Sequence, residues 1–410
     1  MLIYQIITVI ILFTTVFAYV NDKYIKWPST IGIMALSLMA SLIIVMFGSF
    51  VPATTASLVK LIKTIDFQQV LLQVMLGFLL FAGAMQVDYQ KLRKEVLLVL
   101  VLATLGVLIS TFLVSVLSYY LFALFQLPVP YIYCLLFGTL ISPTDPIAVM
   151  GILRKAGIPE SLELKITGES LFNDGVAVVL FLTVTEVAVM GADQMTVWRI
   201  GSLFLREAIG GLVFGTALGY LGYFILRSIN NYRVEVLITL SMVMPGYALA
   251  SYLHVSGALA MVVAGLMLGN KVRNTAMSRK SWDYLGKFWG LIDEIFNAVL
   301  FLLIGFEMLV VEITLPIVSI GLAMILAVLF ARWVSVLFPV WLLRGKIKFE
   351  KNALTILTWG GLRGALSVAL ALSIPATMHK NEFVLITYII VVFSIMIQGL
   401  TIGKLSHRLR

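Results

Sequence analysis

Apolar runs of about 20 residues recur from one end of this chain to the other, and that length lets an α-helix cross the hydrocarbon core of a bilayer. Backbone polar groups in lipid find no water, so such a run closes its hydrogen bonds within itself and is a helix rather than an open strand. Only 12% of the 410 residues are charged and 61% are hydrophobic, against about 25% charged in soluble chains. That is too little polar surface for a water-facing globule. The expected fold class is an all-α polytopic membrane protein.

Thirteen spans are expected, over 2–20, 29–48, 69–87, 96–123, 130–153, 164–190, 200–226, 234–253, 256–270, 285–311, 316–343, 352–374 and 383–403. No basic segment precedes the first run, and Lys23 and Lys26 follow it, which favours a retained helix over a cleaved signal. Basic loops face the cytoplasm. With the N-terminus outside, cytoplasmic loops hold 22 of the 29 Lys and Arg residues, Lys165 among them. Five stay outside (Lys60, Lys63, Arg199, Arg206 and Lys380), and Arg332 and Arg363 fall inside spans. A multi-pass protein of the inner or plasma membrane is expected, with the N-terminus outside and the C-terminus in the cytoplasm. The net charge of +9 then belongs to membrane-flanking loops and does not imply nucleic acid.

Other function classes find little support. The single cysteine, Cys134, rules out a disulfide framework, and His254, His379 and His407 are far apart. No metal-ligand spacing, activated serine or cysteine, or phosphate loop is present, so neither an enzyme nor an ATP-driven pump is expected, and no cofactor is.

An ionisable group at mid-membrane costs several kcal/mol, which makes each one a functional candidate. Asp145, Glu169, Asp174, Arg332 and Arg363 stand out. Glu186, Glu207, Asp293, Glu294 and Glu307 lie nearer span ends and are read as interfacial or cavity-rim residues. In the fifth span, Pro143 and Pro146 bracket Thr144 and Asp145, removing two backbone donors. In the twelfth, Gly360, Gly361 and Gly364 surround Arg363, and each glycine weakens a helix by about 1 kcal/mol. Both segments are expected to break. They lie seven spans apart, as in two inverted six-helix repeats, and matched interruptions point to a transporter's binding site. In the sixth span Ser170 and Asp174 stack four residues apart, and Glu169 and Asn173 stack beside them. Oxygen donors suit hard cations such as sodium, and a carboxylate shut away from water can instead hold a proton.

Four stretches carry a family resemblance: GESLFNDGVAVVLF at 168–181, SPTDPIAV at 142–149, WGGLRGALSVALALSIP at 359–375 and FWGLIDEIFNAVLFLLIGFE at 288–307. Together the chain resembles the monovalent cation/proton antiporters, in the branch holding NhaP-type sodium/proton antiporters and the animal sodium/proton exchangers. The resemblance implies that Asp174 is the essential ion- and proton-binding carboxylate. Asn173 would mark the electroneutral branch. Glu169 and Ser170 would complete or support the site, and Thr144 would add an oxygen, with sodium held by Asp174, Ser170 and Thr144. Asp145 and Glu169 would pair with Arg363, and Arg332 would be a structural charge.

The resemblance also implies a homodimer within membrane lipid, with small cations as substrates. Residues 1–95 and 234–311 would form its dimerisation bundle, 96–190 and 312–410 the mobile core, and 191–233 the connecting helix. Gly211, Gly215 and Gly219 on that helix suit close packing. The chain stops at Arg410, soon after the last expected span, so a C-terminal regulatory tail is expected to be either absent or cut away. Exchange of sodium, or lithium, for protons by alternating access follows, one cation per proton. Potassium/proton exchange by the same machinery and a cation channel are the alternatives.

Overall fold

The computed structural model describes residues 2–47, 67–191, 196–272, 277–311, 313–345, 350 and 352–408. Of the basic residues counted for orientation, Lys60, Lys63, Arg273, Lys346, Lys348, Lys351 and Arg410 lie outside the described residues. Helices account for nearly all of the rest. In chain order they are α1 (Leu2–Val20), α2 (Ser29–Phe47), α3 (Phe67–Gln86), α4 (Tyr89–Leu124), α5 (Tyr131–Ile141), α6 (Ile147–Lys155), α7 (Glu160–Met190) and α8 (Val197–Arg227). There follow α9 (Tyr232–Tyr252), α10 (Gly257–Met267), α11 (Arg279–Glu307), α12 (Leu315–Leu343), α13 (Ala353–Trp359), α14 (Ala365–Ser373) and α15 (Lys380–Arg408). No strand occurs among the described residues.

Ten of these helices are long and apolar enough to cross a membrane, fewer than the thirteen spans expected. The other three expected spans appear as the short α10 and as two interrupted pairs, α5 with α6 and α13 with α14. Several starts are set by side-chain caps. Asp88 accepts from the Gln90 and Lys91 amides, Ser256 from Leu259 and Ser278 from Ser281. The Ser278 cap starts α11 about two turns before the expected edge, which places Asp293 at the helix midpoint rather than near its end.

The helices pack in two groups. In one, α1 and α2 lie on α11, while α3, α8, α9 and α10 gather around a core that includes Phe81, Met261 and Trp289. The α8 glycines permit close contact with α10: a Cβ on Gly211 or Gly215 would meet backbone atoms of Ser256 or Ala260, and one on Gly219 would meet Met267. In the other group, α4, α5, α7, α12, α14 and α15 enclose Phe122, Phe137, Met324 and Phe383. Exposed apolar side chains such as Leu212, Phe224, Leu326 and Phe330 cover the outer helix faces, as a lipid-facing surface requires.

Both expected breaks are present, and they touch. Residues 142–146 interrupt the path from α5 to α6, and 361–364 interrupt the path from α13 to α14. The Asp145 amide donates to the Leu362 carbonyl at 2.8 Å. A Cβ on Gly364 would run into the Asp145 side chain, so glycine is required by the close approach of the two segments.

Candidate functional site

The crossing brings four helix ends to one place, two of each polarity. Helix N-termini carry partial positive charge and C-termini partial negative charge. Asp145 stands just before α6 and accepts from the Ile147 amide at 2.9 Å. Arg363 stands just past the end of α13, where its Nη1 donates to the Gly361 carbonyl at 3.0 Å. Asp145 thus lies against the positive end of α6, while Arg363 is held by a carbonyl of the unwound stretch before α14.

Beside the crossing, α7 presents its polar cluster. The Asn173 Nδ2 donates to Thr144 Oγ1 at 2.8 Å, and the Thr144 amide points back to Asn173 Oδ1 at 3.4 Å. Ser170 donates its hydroxyl to the Thr144 carbonyl. The unwound stretch is therefore pinned to α7 by two side chains. Asp174 takes no part in this pinning, and no described residue forms a hydrogen bond or ion pair with its carboxylate. It lines a cavity of about 960 Å³, together with Thr144, Asp145, Ser170, Asp293 and Ser367. Lys91, Arg154 and Lys287 also line this cavity.

The remaining expected site residues lie behind this wall. Glu169 is 1% exposed and faces Arg332 of α12, which grips it through both guanidinium nitrogens, Nη2 to Oε2 at 3.0 Å and Nη1 to Oε1. Arg332 Nη2 also donates to the Leu357 carbonyl of α13 at 3.0 Å. The expected pairing of Asp145 and Glu169 with Arg363 is thus corrected. Arg332 occupies the space over Gly361, where a Cβ would meet its guanidinium, and so reaches Glu169 first. Arg363 is 2% exposed, and its Nε and Nη2 have no hydrogen-bond partner.

Lys165, expected in a loop, is instead 1% exposed on α7. It bonds Glu350 at 2.7 Å and lies 3.5 Å from Glu95, tying α4, α7 and the segment before α13 together. Among the residues read as interfacial, Asp293 and Glu294 line the cavity, whereas Glu307 is buried at the end of α11. The sequence signal for Asp293 was its place in an unbroken apolar helix, once the Ser278 cap is used to mark that helix's start.

The family model described as "Sodium/hydrogen exchanger, transmembrane" matches residues 4–407. The chain belongs to the sodium/hydrogen exchanger family. It is 46% identical to the Na(+)/H(+) antiporter NhaP of Pseudomonas aeruginosa, over 99% of this chain and 96% of that one. It is 32% identical to the Na(+)/H(+) antiporter NhaH of Halobacillus dabanensis, over 84% of each chain. Among solved structures, the sodium proton antiporter MjNhaP1 of Methanocaldococcus jannaschii at pH 8 superposes with a TM-score of 0.78. That match covers 100% of this chain and 99% of the other, at 20% identity, and shows a shared fold. This sodium/hydrogen exchanger family member is therefore a multi-pass membrane protein, and the family is one of transporters rather than enzymes.

Proposed function

We propose that this chain exchanges sodium for protons across the membrane by alternating access, one cation for one proton, at Asp174. One observation carries the reading. Asp174 is a bare carboxylate on the wall of a large cavity, beside oxygens that other side chains hold in place. Sodium binds there by exchanging its water for Asp174, the Ser170 hydroxyl and Thr144 oxygen, all hard donors. A proton on Asp174 removes the charge that attracts the cation, so the two ligands exclude one another. An empty, ionised Asp174 is costly to carry through an apolar barrier, which couples the fluxes. With one competing carboxylate, a full cycle moves no net charge.

Asn173, Glu169, Arg332, Arg363 and Asp145 position this site without taking the ion. Lys91, Arg154 and Lys287 flank the cavity, and basic flanks favour the cytoplasm, so the cavity faces inward, with the N-terminus outside. Residues 96–190 and 312–410 act as the moving core against a scaffold of 1–95 and 234–311, with 191–233 linking them and the scaffold forming a homodimer in the inner or plasma membrane. The names of the relatives favour sodium over potassium.

Proteoliposomes test this. Added sodium or lithium is expected to dissipate an imposed pH gradient, potassium to do so poorly, and Asp174→Asn to do nothing. Dissipation that persists in Asp174→Asn, or that a potassium–valinomycin potential strongly accelerates, contradicts the site or the stoichiometry respectively.

A further inference from the structure

A second, smaller cavity of about 220 Å³ adjoins the one that reaches Asp174. Its polar walls are Ser29 and Thr30 of α2 and Asp293, Glu294 and Asn297 of α11. The α6 residues Ile147 and Gly151, with Asp293 and Glu294, line both cavities, so the two are neighbours across one thin partition. Gly151 leaves that partition open, since a Cβ there would meet nothing within 4 Å.

Two acids on one helix do not make a site. What marks this one is Asn297. It is 3% exposed, lines the cavity, and holds its Nδ2 on Asp293 Oδ1 at 3.1 Å, while its own Oδ1 has no hydrogen-bond partner. A buried amide oxygen left without a donor is costly. The polar groups that line the cavity are mainly oxygen: two carboxylates, one amide carbonyl and the hydroxyls of Ser29 and Thr30. No described residues form a group of three or more His, Cys, Asp or Glu able to hold a metal ion. Hard oxygen donors suit a hard cation, and sodium is the cation that the Asp174 reading brings to this side of the protein.

We propose that Asp293, Asn297 and Thr30 form a second monovalent-cation site, a holding point from which sodium passes to Asp174. It rests on the sodium/proton reading of Asp174 for its role, though not for its existence. Its walls come from α2 and α11 of the proposed scaffold on one side and from α6 of the proposed core on the other. A cation held there concentrates sodium beside the transport site. Loss of the site therefore weakens apparent sodium affinity and leaves the maximal rate in place.

Equilibrium binding of radioactive sodium to the full chain in detergent, followed by transport in proteoliposomes, separates the possibilities. Asp174→Asn is expected to stop transport yet keep one saturable sodium site per chain. Adding Asn297→Leu or Thr30→Val to it is expected to remove that site. In the otherwise unchanged chain, Asn297→Leu is expected to raise the sodium KM by at least about threefold with the maximal rate kept. Both variants are to elute as monodisperse protein, and Thr30→Val serves where Asn297→Leu does not. No saturable sodium binding in Asp174→Asn overturns the proposal. So does an unchanged KM in variants whose thermal stability alone has fallen, which would make these side chains supports for α2. Transport surviving in Asp174→Asn would instead strike at the Asp174 reading and leave the binding count standing.

Discussion

Breaking the Arg332–Glu169 pair is expected to damage the protein more than removing both members together. Their side chains are 7% and 2% exposed, and the contact is two-pronged. Removing one partner of such a pair leaves a buried charge uncompensated, at a cost of about 3–5 kcal/mol. Replacing both with apolar groups of similar volume is close to neutral. Arg332→Met also strips the Leu357 carbonyl of its donor, worth about 1 kcal/mol. Glu169→Leu and Arg332→Met should therefore each lower thermal stability sharply. The double variant should recover all but the Leu357 share, so the two single losses should fall far short of adding. Heating the purified protein in detergent and reading the surviving monodisperse fraction measures this. Additive losses, with the double variant worse than either single, would refute the pairing and return Glu169 to Arg363.

Gly364→Ala should abolish transport and cost about 1–3 kcal/mol of stability, because its methyl meets the Asp145 side chain, while Gly286→Ala, facing open space, should behave as wild type in both assays. Burial works against the Glu350 carboxylate, but hydrogen bonds from Lys165 and Ser161 outweigh it and hold it below its usual 4.5. Its contribution to stability is complete above about pH 4.5 and is lost as pH falls through the lower folded value. Melting curves should accordingly fall more steeply with acid in wild type than in Glu350→Gln; parallel curves would show that the tie contributes nothing. Lys165→Met should destabilise at neutral pH by about 1–3 kcal/mol, read by the same melting curves, since it takes from the partly exposed Glu350 its charged donor and leaves it only Ser161 among the described side-chain donors.

How much of this was legible depended on how local the cause was. Pro143, Pro146 and the glycines around Arg363 act on their own backbone, so both interruptions could be placed before any contact was known. The α7 stripe of Ser170 and Asp174 follows from helical period alone. Partner choice is a different matter. Arg332 and Arg363 differ in reach toward Glu169 only because Arg332 lies over Gly361, a relation between helices far apart in the chain. Lys165 looked like a loop residue because its partners, Glu350 and Glu95, lie 185 and 70 positions away. Asp293 was placed near a span end because hydropathy blurs a helix start that one serine cap defines. A short helix and two broken ones have no sharp hydropathic edges, so three of the thirteen expected spans are not single long helices.

The dependence of sodium affinity on pH bears most directly on the claim that one carboxylate serves both ions. In vesicles, the apparent sodium KM is predicted to rise toward tenfold for each unit of acidification once protons outcompete the cation, while the maximal rate at saturating sodium stays constant. A KM that holds steady across that range while the maximal rate falls would mean that proton and sodium bind at separate places, and Asp174 would lose its part in the exchange.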